Sequence, residues 1–479
     1  MFSFLSRMQV PHVFALILGV ILVCSLFTYV IPSGSYEREQ VEIKGTTRNV
    51  VVPGSYQEIP KHYSLDGIFL DKKVDGKAQP TSVHGFLSAV PRGMEKASGI
   101  IFFIFVIGGV FGILQRIGVI TAAIQAIIDR FGERGPFLTV LVMVLLSIGG
   151  STMGMGEEFI PLVPIFVLIA EKLGYDRVFG MAVVILSAQV GFAAATTNPF
   201  TVVIAQGIAE VKLYSGWWFR LIFYAVIMSI TVIYLLRYGA RVKRDPQASL
   251  VHGIDAEIAE IQTVAFTARH SVIILACILL FVGILAGVIH YHWDFAQMGG
   301  GFFLMGLVAA AVAGLSANEA ARAFVKGMEE MVVAALVVGF ARGIEIVLTN
   351  SQIMDTVIHY ASSGLSGLPK YVAVQGMLLF QTLLNFLIPS GSGQAAVTMP
   401  LMAPLADVLE ISRQTAVFAF QCGDGFSNLI IPTSGILMSM LSLAHIPFER
   451  WLRFMIPLFL IFLGTSAAFL VLAVVIGFS

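Results

Sequence analysis

The chain has 479 residues, of which 57% are hydrophobic and only 12% are charged. A soluble domain carries about 25% charged residues, so water is not the solvent for most of this surface and a soluble protein is excluded. The formal net charge is zero, which argues against a nucleic-acid partner. The three cysteines lie in separate apolar stretches without a Cys-x-x-Cys pair, so neither a disulfide nor a metal framework is predicted.

The first predicted element is an apolar run over residues 11–31, long enough to span a bilayer, which needs about 20 residues. It lacks an Ala-x-Ala-like cleavage site and is therefore predicted to be a retained helix rather than a removed signal. Its N-terminus is expected in the cytoplasm, with the protein in the inner membrane of a bacterium. The polar residues 33–84 complete the first predicted unit, 1–84, as a small extracytoplasmic segment rich in β-formers.

Residues 85–240 are predicted to form a first repeat. Its elements are an amphipathic piece (86–97), a span (99–115), a second amphipathic piece (121–131), a hairpin (136–170), a broken helix (179–209) and a span (217–238). The break follows from Asn198-Pro199, because proline removes a backbone donor and disfavours helix at the residue before it.

The centre of the first hairpin has the wrong composition for a helix that faces lipid. Residues 149–158 contain four glycines, two hydroxyls and the adjacent carboxylates of Glu157 and Glu158. Opened backbone at membrane depth survives only where protein or a watery cavity satisfies its polar groups. Basic residues flank the hairpin, including Arg134 before it and Lys172 after it, so both ends are predicted on one side of the membrane, as in a re-entrant loop.

A basic linker, residues 241–269, separates the two halves and is predicted to be cytoplasmic by the positive-inside rule. Residues 270–479 are predicted to form the second repeat. Spans at 271–290, 299–315 and 332–348 precede a hairpin (371–409), a broken helix (415–442) and a last span (454–476).

Short motifs recur in the same order along the two halves. The pairs are Gly93-Met94-Glu95 with Gly327-Met328-Glu329, Ser151-x-x-Gly154 with Ser390-x-x-Gly393, and Thr197-Asn198 with Ser427-Asn428. Counting spans places the first Gly-Met-Glu outside and the second inside, which predicts an all-α polytopic membrane protein with two inverted repeats. Inverted repeats with broken elements in matching positions are typical of secondary transporters that bind solute at the midplane.

The four predicted breaks carry small polar groups that suit a solute site. A broken helix exposes carbonyls that coordinate Na⁺ at one half-helix end and N–H groups that attract carboxylates at the other. The predicted substrate-binding groups of this kind are Ser151, Thr152, Gly154, Thr197, Asn198, Ser390, Gly391, Ser392, Gly393, Gln394, Ser427 and Asn428. Binding of Na⁺ near Ser151, Asn198, Ser390 and Asn428 is one interpretation of these groups. The alternative interpretation is close packing of helices through small residues.

Charged residues within apolar stretches complete the candidate site, because intramembrane charges are costly and functional by default. Glu157 and Glu158 point about 100° apart on a helix, so one is predicted to face the solute and the other to cap the following half-helix. Asp424 lies between two glycines and either faces the site or stabilises a turn. Arg342, the only deep cation in the pattern, either neutralises Glu345 one turn away or grips a substrate carboxylate.

At these residues the sequence resembles the YfcC family, in the DcuC-like branch of the ion transporter superfamily. The matching motifs are residues 154–158 and 198–209 in the first half, and 390–396 with Pro400, 421–427 and 432–434 in the second. Residues 339–344 also resemble the family, which carries a basic residue at the position of Arg342. The resemblance covers nearly the whole chain outside the polar segment.

The resemblance implies paired re-entrant hairpins, a scaffold that forms a homodimer, and elevator-like movement of the hairpin domain. It leaves two substrate classes open, C4-dicarboxylates and basic amino acids of the arginine/ornithine type. A dianion requires more deep cations than Arg342, whereas Glu157, Glu158 and Asp424 suit an ammonium or guanidinium group. A basic amino acid is therefore predicted, carried by exchange or by ion coupling, with no cofactor other than a coupling Na⁺ or H⁺.

Two other classes of protein are weighed against a carrier. Residues 421–424, Gln-Cys-Gly-Asp, lack the first glycine of the Gly-x-Gly-Asp motif of intramembrane aspartyl proteases, and no P-loop is present, so an enzyme is not predicted. An ion channel needs a continuous pore, usually built by symmetric subunits, and broken inverted repeats argue against one.

Overall fold

The computed structural model describes residues 13–43, 46–72, 74–123, 126, 135–254, 266–291 and 293–479. These residues are mostly helical, as predicted, because lipid cannot hydrogen-bond the backbone and a helix satisfies it internally. Six of the described helices are long and apolar enough to cross a membrane. They are Ser98–Ile117, Gly135–Met153, Trp217–Arg244, Phe295–Ala313, Val332–Asn350 and Phe448–Ile476.

The N-terminal helix α1 (Val13–Phe27) leads into the polar segment, which contains four short strands and a short helix. These elements are β1 (Ser33–Ser35), β2 (Arg38–Ile43), β3 (Thr46–Val51), β4 (Gln57–Ile59) and α2 (Leu65–Phe69). Strand β1 pairs with β4 and β2 pairs with β3, both antiparallel, so the segment consists of two separate two-stranded sheets.

The first half continues with a series of helices that contains two interruptions. The elements are α3 (Val83–Lys96), α4 (Ser98–Ile117), α5 (Gly135–Met153), a 3₁₀ helix (Glu157–Leu162), α6 (Val163–Lys172), α7 (Arg177–Ala193), a π-helix (Pro199–Val203), α8 (Ile204–Ile208) and α9 (Trp217–Arg244). Most of the amphipathic piece predicted over 121–131 lies outside the described residues.

The second half has the same succession of elements. After a 3₁₀ helix (Pro246–Ala248) come α10 (Ala268–Tyr291), α11 (Phe295–Ala313), α12 (Ala317–Glu330), α13 (Val332–Asn350), α14 (Met354–Leu365), α15 (Lys370–Leu384), α16 (Gly391–Val408), α17 (Arg413–Ser427), α18 (Gly435–Leu443) and α19 (Phe448–Ile476). Part of the linker predicted over 241–269, residues 255–265, lies outside the described residues.

Equivalent capping residues begin the matching helices of the two halves. Ser82 caps α3, and Ser316, 234 residues later, caps α12; each hydroxyl accepts a first-turn backbone N–H. Asp176 caps α7, and Ser412, 236 residues later, caps α17 in the same way. The correspondence between the two halves therefore includes the starts of whole helices as well as short motifs.

The amphipathic helix of each half packs against a span of the other half. Gly93 on α3 faces α13, where an added Cβ would lie 2.4 Å from the Gly339 carbonyl oxygen. Gly327 on α12 faces α4, where an added Cβ would lie 2.1 Å from the Gly108 carbonyl oxygen. Only glycine permits this approach, which explains why the Gly-Met-Glu motif recurs at this position.

The centre of the molecule is formed by α7 and α17, in which nearly every residue is buried. A helix surrounded by protein on all sides needs no polar face. Accordingly, the sequences of α7 and α17 consist mainly of small and apolar residues, with scattered polar ones. The polar side chains of these two helices therefore lie in the interior, where each needs a hydrogen-bond partner.

Candidate functional site

The chain reverses direction between α5 and α6. An added Cβ at Gly135, where α5 begins, would lie 3.5 Å from the hydroxyl of Tyr175, just after α6 ends. Between the two helices, Gly154 has a φ of 71°, in the left-handed region that glycine adopts without strain. The chain is therefore interrupted at residues 154–156, within the stretch 149–158 that the sequence predicted to be open, whereas residues 149–153 remain helical and the two arms return to the same end.

The tip of this first reversal lies against the interruption that follows α7. The Ser151 hydroxyl accepts the backbone N–H of Thr196 at 3.1 Å, and the Ser151 carbonyl accepts the N–H of Thr197 at 3.2 Å. Asn198 starts the next helical segment by accepting the Phe200 N–H at 2.8 Å. Its side chain is so close to Gly154 that an added Cβ there would lie 2.5 Å from Asn198 Oδ1.

A second reversal between α15 and α16 lies against the end of α17. The Asn385 amide donates to the Asp424 carbonyl at 2.9 Å, to Ser427 Oγ at 2.9 Å and to Asn428 Oδ1 at 3.0 Å. Ser390 caps α16 by accepting the N–H of Gly393. One asparagine thus holds the second tip to the second interruption.

The two interruptions meet each other through Gly391 and Gln421. An added Cβ at Gly391 would lie 2.7 Å from Thr201 Cγ2 and 3.1 Å from Asp424 Oδ2. The Gln421 amide donates to the carbonyls of Ala193 and Ala195, at 3.0 and 2.8 Å, and so satisfies the open end of α7. Both predicted breaks therefore belong to one site.

Two arginines make equivalent contacts at the starts of α7 and α17. Arg177 donates to the carbonyl of His445, beyond the end of α18, and Arg413 donates to the carbonyl of Ala209, beyond the end of α8. The start of each interrupted helix is therefore beside the end of the other, and the two run in opposite directions.

Buried polar atoms without a hydrogen-bond partner concentrate at this meeting point. Among the described residues they are Gln189 Oε1, Asn198 Nδ2, Thr201 Oγ1, Asn385 Oδ1, Gln394 Oε1, both carboxylate oxygens of Asp424, Thr433 Oγ1 and Ser466 Oγ. All except Ser466 belong to the chain reversals or the interrupted helices. Because an unpaired buried polar group is costly, such a concentration is typical of a site that binds solute, ion or water.

The three predicted carboxylates have different surroundings. Asp424 is completely buried on α17, and neither of its carboxylate oxygens has a hydrogen-bond partner in the part of the chain that the structure describes. Glu158 is half-buried and accepts the N–H of Gly156 at 2.9 Å, at the start of the 3₁₀ helix. Glu157 is also half-buried and lies within electrostatic range of Arg342.

Arg342 and Glu345 form the ion pair that the sequence suggested, with Arg342 Nη1 2.9 Å from the Glu345 carboxylate. The other oxygen of Glu345 binds Lys96 on α3 at 2.8 Å, a partner that sequence spacing could not reveal. The carboxylate between them satisfies both cations, and the Arg342 side chain remains 23% exposed.

The prediction that Arg342 is the only deep cation is wrong, because Arg220 on α9 is completely buried. Arg220 donates to Gln421 Oε1 at 2.9 Å, to Gln414 Oε1 at 3.2 Å and to the Ser215 carbonyl at 3.1 Å. Its position beside Trp217 and Trp218 is typical of a membrane interface. The burial arises from α17, which is distant in sequence.

The structure does not bring Thr152 into this site. Its side chain is exposed, and its hydroxyl donates to the Ile148 carbonyl in its own helix at 2.7 Å. Ser392 and Gln394 lie in the first turn of α16, where the Gln394 amide donates to the Gln381 side chain at 2.7 Å.

The predicted pairing of Thr197-Asn198 with Ser427-Asn428 is also wrong. Asn198 begins the second segment of its interrupted helix, whereas Ser427 ends the first segment of the other. The capping counterpart of Asn198 is Ser434, which accepts the N–H of Leu437 at the start of α18. The residues that correspond between the two broken helices are therefore the caps Asn198 and Ser434, and not the Ser/Thr-Asn dipeptides.

Apolar helices of membrane-spanning length, arranged around two chain reversals and two interrupted helices, define this chain as a membrane transport protein. Residues 10–475 match the family model described as "C4-dicarboxylate anaerobic carrier", DcuC. The chain belongs to this family, whose members are transporters and not enzymes.

Several individual proteins are similar over nearly the whole chain. "Putative basic amino acid antiporter YfcC" of Escherichia coli (strain K12) is 34% identical over 93% of both chains. An uncharacterized protein of Haemophilus influenzae is 30% identical over 94% of both chains. Among solved structures, the Alcanivorax borkumensis YdaH transporter is 16% identical with a TM-score of 0.44, covering 98% of this chain and 99% of that one. Neisseria gonorrhoeae MtrF is 17% identical with a TM-score of 0.42, covering 96% and 95%.

Proposed function

We propose that the protein is a secondary active carrier of a basic amino acid of the arginine/ornithine type, working by exchange or by ion coupling. The site lies where the two chain reversals meet the interrupted helices. The carboxylates of Glu157 and Asp424 hold the substrate cation or a coupling proton. Backbone N–H groups at the half-helix starts, together with neighbouring hydroxyls, hold its carboxylate.

The substrate class is inferred from the partners of the charged groups in the interior. The cations there have partners within the protein, whereas the buried carboxylate has none among the described residues. Arg220 is occupied by two glutamine side chains, and Arg342 is paired with Glu345. The Asp424 side chain, in contrast, is completely buried, and its carboxylate oxygens have no hydrogen-bond partner among the described residues. A buried carboxylate needs a positive partner, which a guanidinium or ammonium group supplies.

The second candidate is a Na⁺- or H⁺-coupled C4-dicarboxylate carrier. The family's description favours it, and the partly exposed Arg342 would be its cation. In that case substrate would displace Glu345 from Arg342, which a dianion can do by two-pronged hydrogen bonding. The name of the similar Escherichia coli protein favours the basic amino acid instead.

Either carrier requires a second ion or solute to drive transport. Sodium near Ser151, Asn198, Ser390 and Asn428 is one proposal, and a proton on Asp424 is the other. The unpaired oxygens of Thr201, Asn385 and Gln394 support an ion at this depth, because they are the neutral oxygen ligands that Na⁺ accepts.

We also propose the architecture that such a carrier requires. The opposed directions of α7 and α17 and the exchanged packing of α3 and α12 support two inverted repeats with re-entrant hairpins. The hairpin domain, α5–α8 and α15–α18, would move as an elevator against a scaffold of α3, α4 and α10–α13. The scaffold would form a homodimer in the bacterial inner membrane, with the N-terminus cytoplasmic.

The test is counterflow in proteoliposomes that are preloaded with arginine, ornithine or succinate. Saturable uptake of labelled arginine into arginine- or ornithine-loaded vesicles supports the basic amino acid carrier, and uptake that responds only to succinate refutes it in favour of the dicarboxylate. Uptake that does not saturate and needs no internal substrate would indicate a channel.

The carboxylates are tested in the same assay with Glu157→Gln and Asp424→Asn. Both variants are expected to lose at least tenfold in uptake without lower expression, because each removes a negative charge from the site. Asp75→Asn, on the exposed surface of the polar segment, removes the same charge elsewhere and should leave uptake unchanged. Full activity in both site variants would refute the assignment.

A further inference from the structure

A cavity with basic walls lies at the ends of α4, α10 and α11, and none of its lining residues belongs to the interrupted helices. Its volume is about 610 Å³, and its lining includes Arg116, Thr267, Arg269 and His270. Thr267, Arg269 and His270 belong to the start of α10, where the helix dipole adds positive potential. Nothing in the proposed transport cycle uses these residues.

The positive charges of this cavity are only partly neutralised. Arg269 donates to the backbone carbonyl of Ala313, which carries no formal charge, at 3.1 Å. Arg116 approaches Glu319 at 4.0 Å, but the Glu319 carboxylate is already bonded to Ser316 through both its backbone N–H and its hydroxyl. Among the described residues that line it, the cavity contains two arginines, a buried histidine and no carboxylate.

The cavity lies at the end of a broad apolar surface. On α10, which starts at the cavity, Val272, Leu275, Leu279 and Val282 are each more than half exposed. On α11, which ends there, the exposed side chains are Phe303, Leu304 and Leu307. An apolar helix face that ends in a basic cavity matches the shape of a phospholipid, with acyl chains beside the helices and a charged headgroup at their end.

We propose that this cavity binds the phosphate of an anionic phospholipid, with Arg116 and Arg269 as its ligands. Arginine presents paired N–H donors to phosphate oxygens, and the dipole of α10 favours negative charge at the start of the helix. Basic pockets between membrane helices on the cytoplasmic side are suited to such headgroups. Arg269 ends the basic linker that is predicted to be cytoplasmic, which places the cavity at the inner leaflet.

The experiment is native mass spectrometry of the purified, delipidated full chain with added phosphatidylglycerol, cardiolipin or phosphatidylcholine. The double variant Arg116→Gln/Arg269→Gln removes both phosphate ligands. The double variant Arg237→Gln/Arg244→Gln removes the same charge from exposed positions on α9, outside the cavity, and is the matched control. Glycerol phosphate, a headgroup without acyl chains, distinguishes a lipid from a soluble phosphate.

The expected result is at least tenfold tighter binding of the two anionic lipids than of phosphatidylcholine, lost in the cavity variant and kept in the control. Equal binding of all three lipids, or equal loss in both variants, would overturn the proposal. Glycerol phosphate binding as tightly as the lipid would assign the cavity to a soluble anion instead. A delipidated dimer that buries α10 and α11 and excludes lipid would assign the surface to a second copy. If the double variant does not purify as a monodisperse species, Arg269→Gln alone gives the same comparison.

Discussion

Gln421 is one buried side chain that connects the two interrupted helices of the site. Its carbonyl oxygen accepts from Arg220, and its amide donates to the two carbonyls that are left open where α7 ends. A side chain of α17 therefore satisfies the open carbonyls at the end of α7. All three groups that it satisfies belong to completely buried residues, so none of them can turn to water.

Gln421→Leu tests this role, because leucine fills a similar volume and makes none of the three bonds. The expected cost is about 3 kcal/mol, since a charged and two neutral groups lose a partner without gaining solvent. The measurement is the thermal unfolding midpoint in detergent. Gln375→Leu, which loses one bond to the Ala467 carbonyl, is the control and should shift the midpoint far less. Equal shifts would contradict the role assigned to Gln421.

Gly154→Ala is expected to abolish transport. The residue has a left-handed φ of 71°, which costs an alanine roughly 1–2 kcal/mol, and the new methyl group would meet Asn198 at the adjoining interruption. Transport activity should fall by a much larger factor than the stability of the fold, because Asn198, which the methyl group would displace, belongs to the proposed site. Gly300→Ala on α11 has open space around it and ordinary helical backbone, so it should leave uptake intact. Normal uptake by Gly154→Ala would show that this tip tolerates displacement.

At the scale of elements, the polar segment is attached to the second half through Asp355 at the start of α14. The Asp355 carboxylate accepts the backbone N–H of Tyr36 at 3.0 Å and binds Arg38 at 2.8 Å. Tyr56 stacks on His359 in the same helix, with ring centroids 4.0 Å apart. These contacts join strands of the first unit to a helix that follows them by more than 300 residues.

Asp355→Ala should release the strands from α14. Losing the acceptor leaves the buried Tyr36 N–H unpaired, at a cost of roughly 1–3 kcal/mol, while the exposed Arg38 adds little. Limited proteolysis of the intact protein should cut the polar segment faster, and Glu58→Ala, on the exposed part of β4, should not change the rate. An unchanged rate in Asp355→Ala would show that stacking on His359 suffices.

Asp71, outside the membrane, gives a prediction about pH. Partial burial acts to raise its pKa, but hydrogen bonds from Ser82 and His84 outweigh it and hold the pKa of Asp71 below its ordinary value. The ionised form therefore stabilises the fold at neutral pH, and this contribution is lost as the pH falls below about 4, through the lowered folded-state pKa. The stability difference between wild type and Asp71→Asn should shrink over that range in thermal unfolding. A stability difference that stays constant with pH would contradict a stabilising role of the ionised Asp71 carboxylate.

At the scale of the whole molecule, an elevator requires α18 to slide along α13. An added Cβ at Gly435 on α18 would lie 3.5 Å from the Cβ of Val338 on α13, a separation that a disulfide spans. Val338→Cys/Gly435→Cys should therefore lose transport on oxidation and regain it on reduction, in a background without Cys24, Cys277 and Cys422.

The control for this cross-link joins two helices of the proposed scaffold. An added Cβ at Gly99 on α4 would lie 3.8 Å from the Cβ of Phe295 on α11. Gly99→Cys/Phe295→Cys should transport equally well in the oxidised and reduced states, because these helices are not expected to move relative to each other. Full transport by the oxidised Val338→Cys/Gly435→Cys protein would exclude elevator movement between α13 and α18.

Apolar patterning was enough to place two features of the second half. The hairpin predicted over 371–409 corresponds to helices from Lys370 to Val408, and the broken helix predicted over 415–442 corresponds to helices from Arg413 to Leu443. These features are local where a break depends on neighbouring residues, as at Asn198-Pro199, where proline removes a backbone donor, although Pro400 and Pro404 lie within α16 without ending it. Arg220 was missed because its burial depends on Gln414 and Gln421, nearly 200 residues away.

The sequence by itself determined that the chain enters a membrane, and it predicted repeated halves and the regions where helices open, because each of these depends on neighbouring residues and on solvent. Only the tertiary structure decided which polar groups are left without partners. Glu345 could be seen to pair with Arg342, but Lys96 joins them from another helix, and Asp424 remains unpaired although arginines lie elsewhere in the interior. Pairing depends on which distant elements come within hydrogen-bond reach, and short sequence spacing does not contain that information.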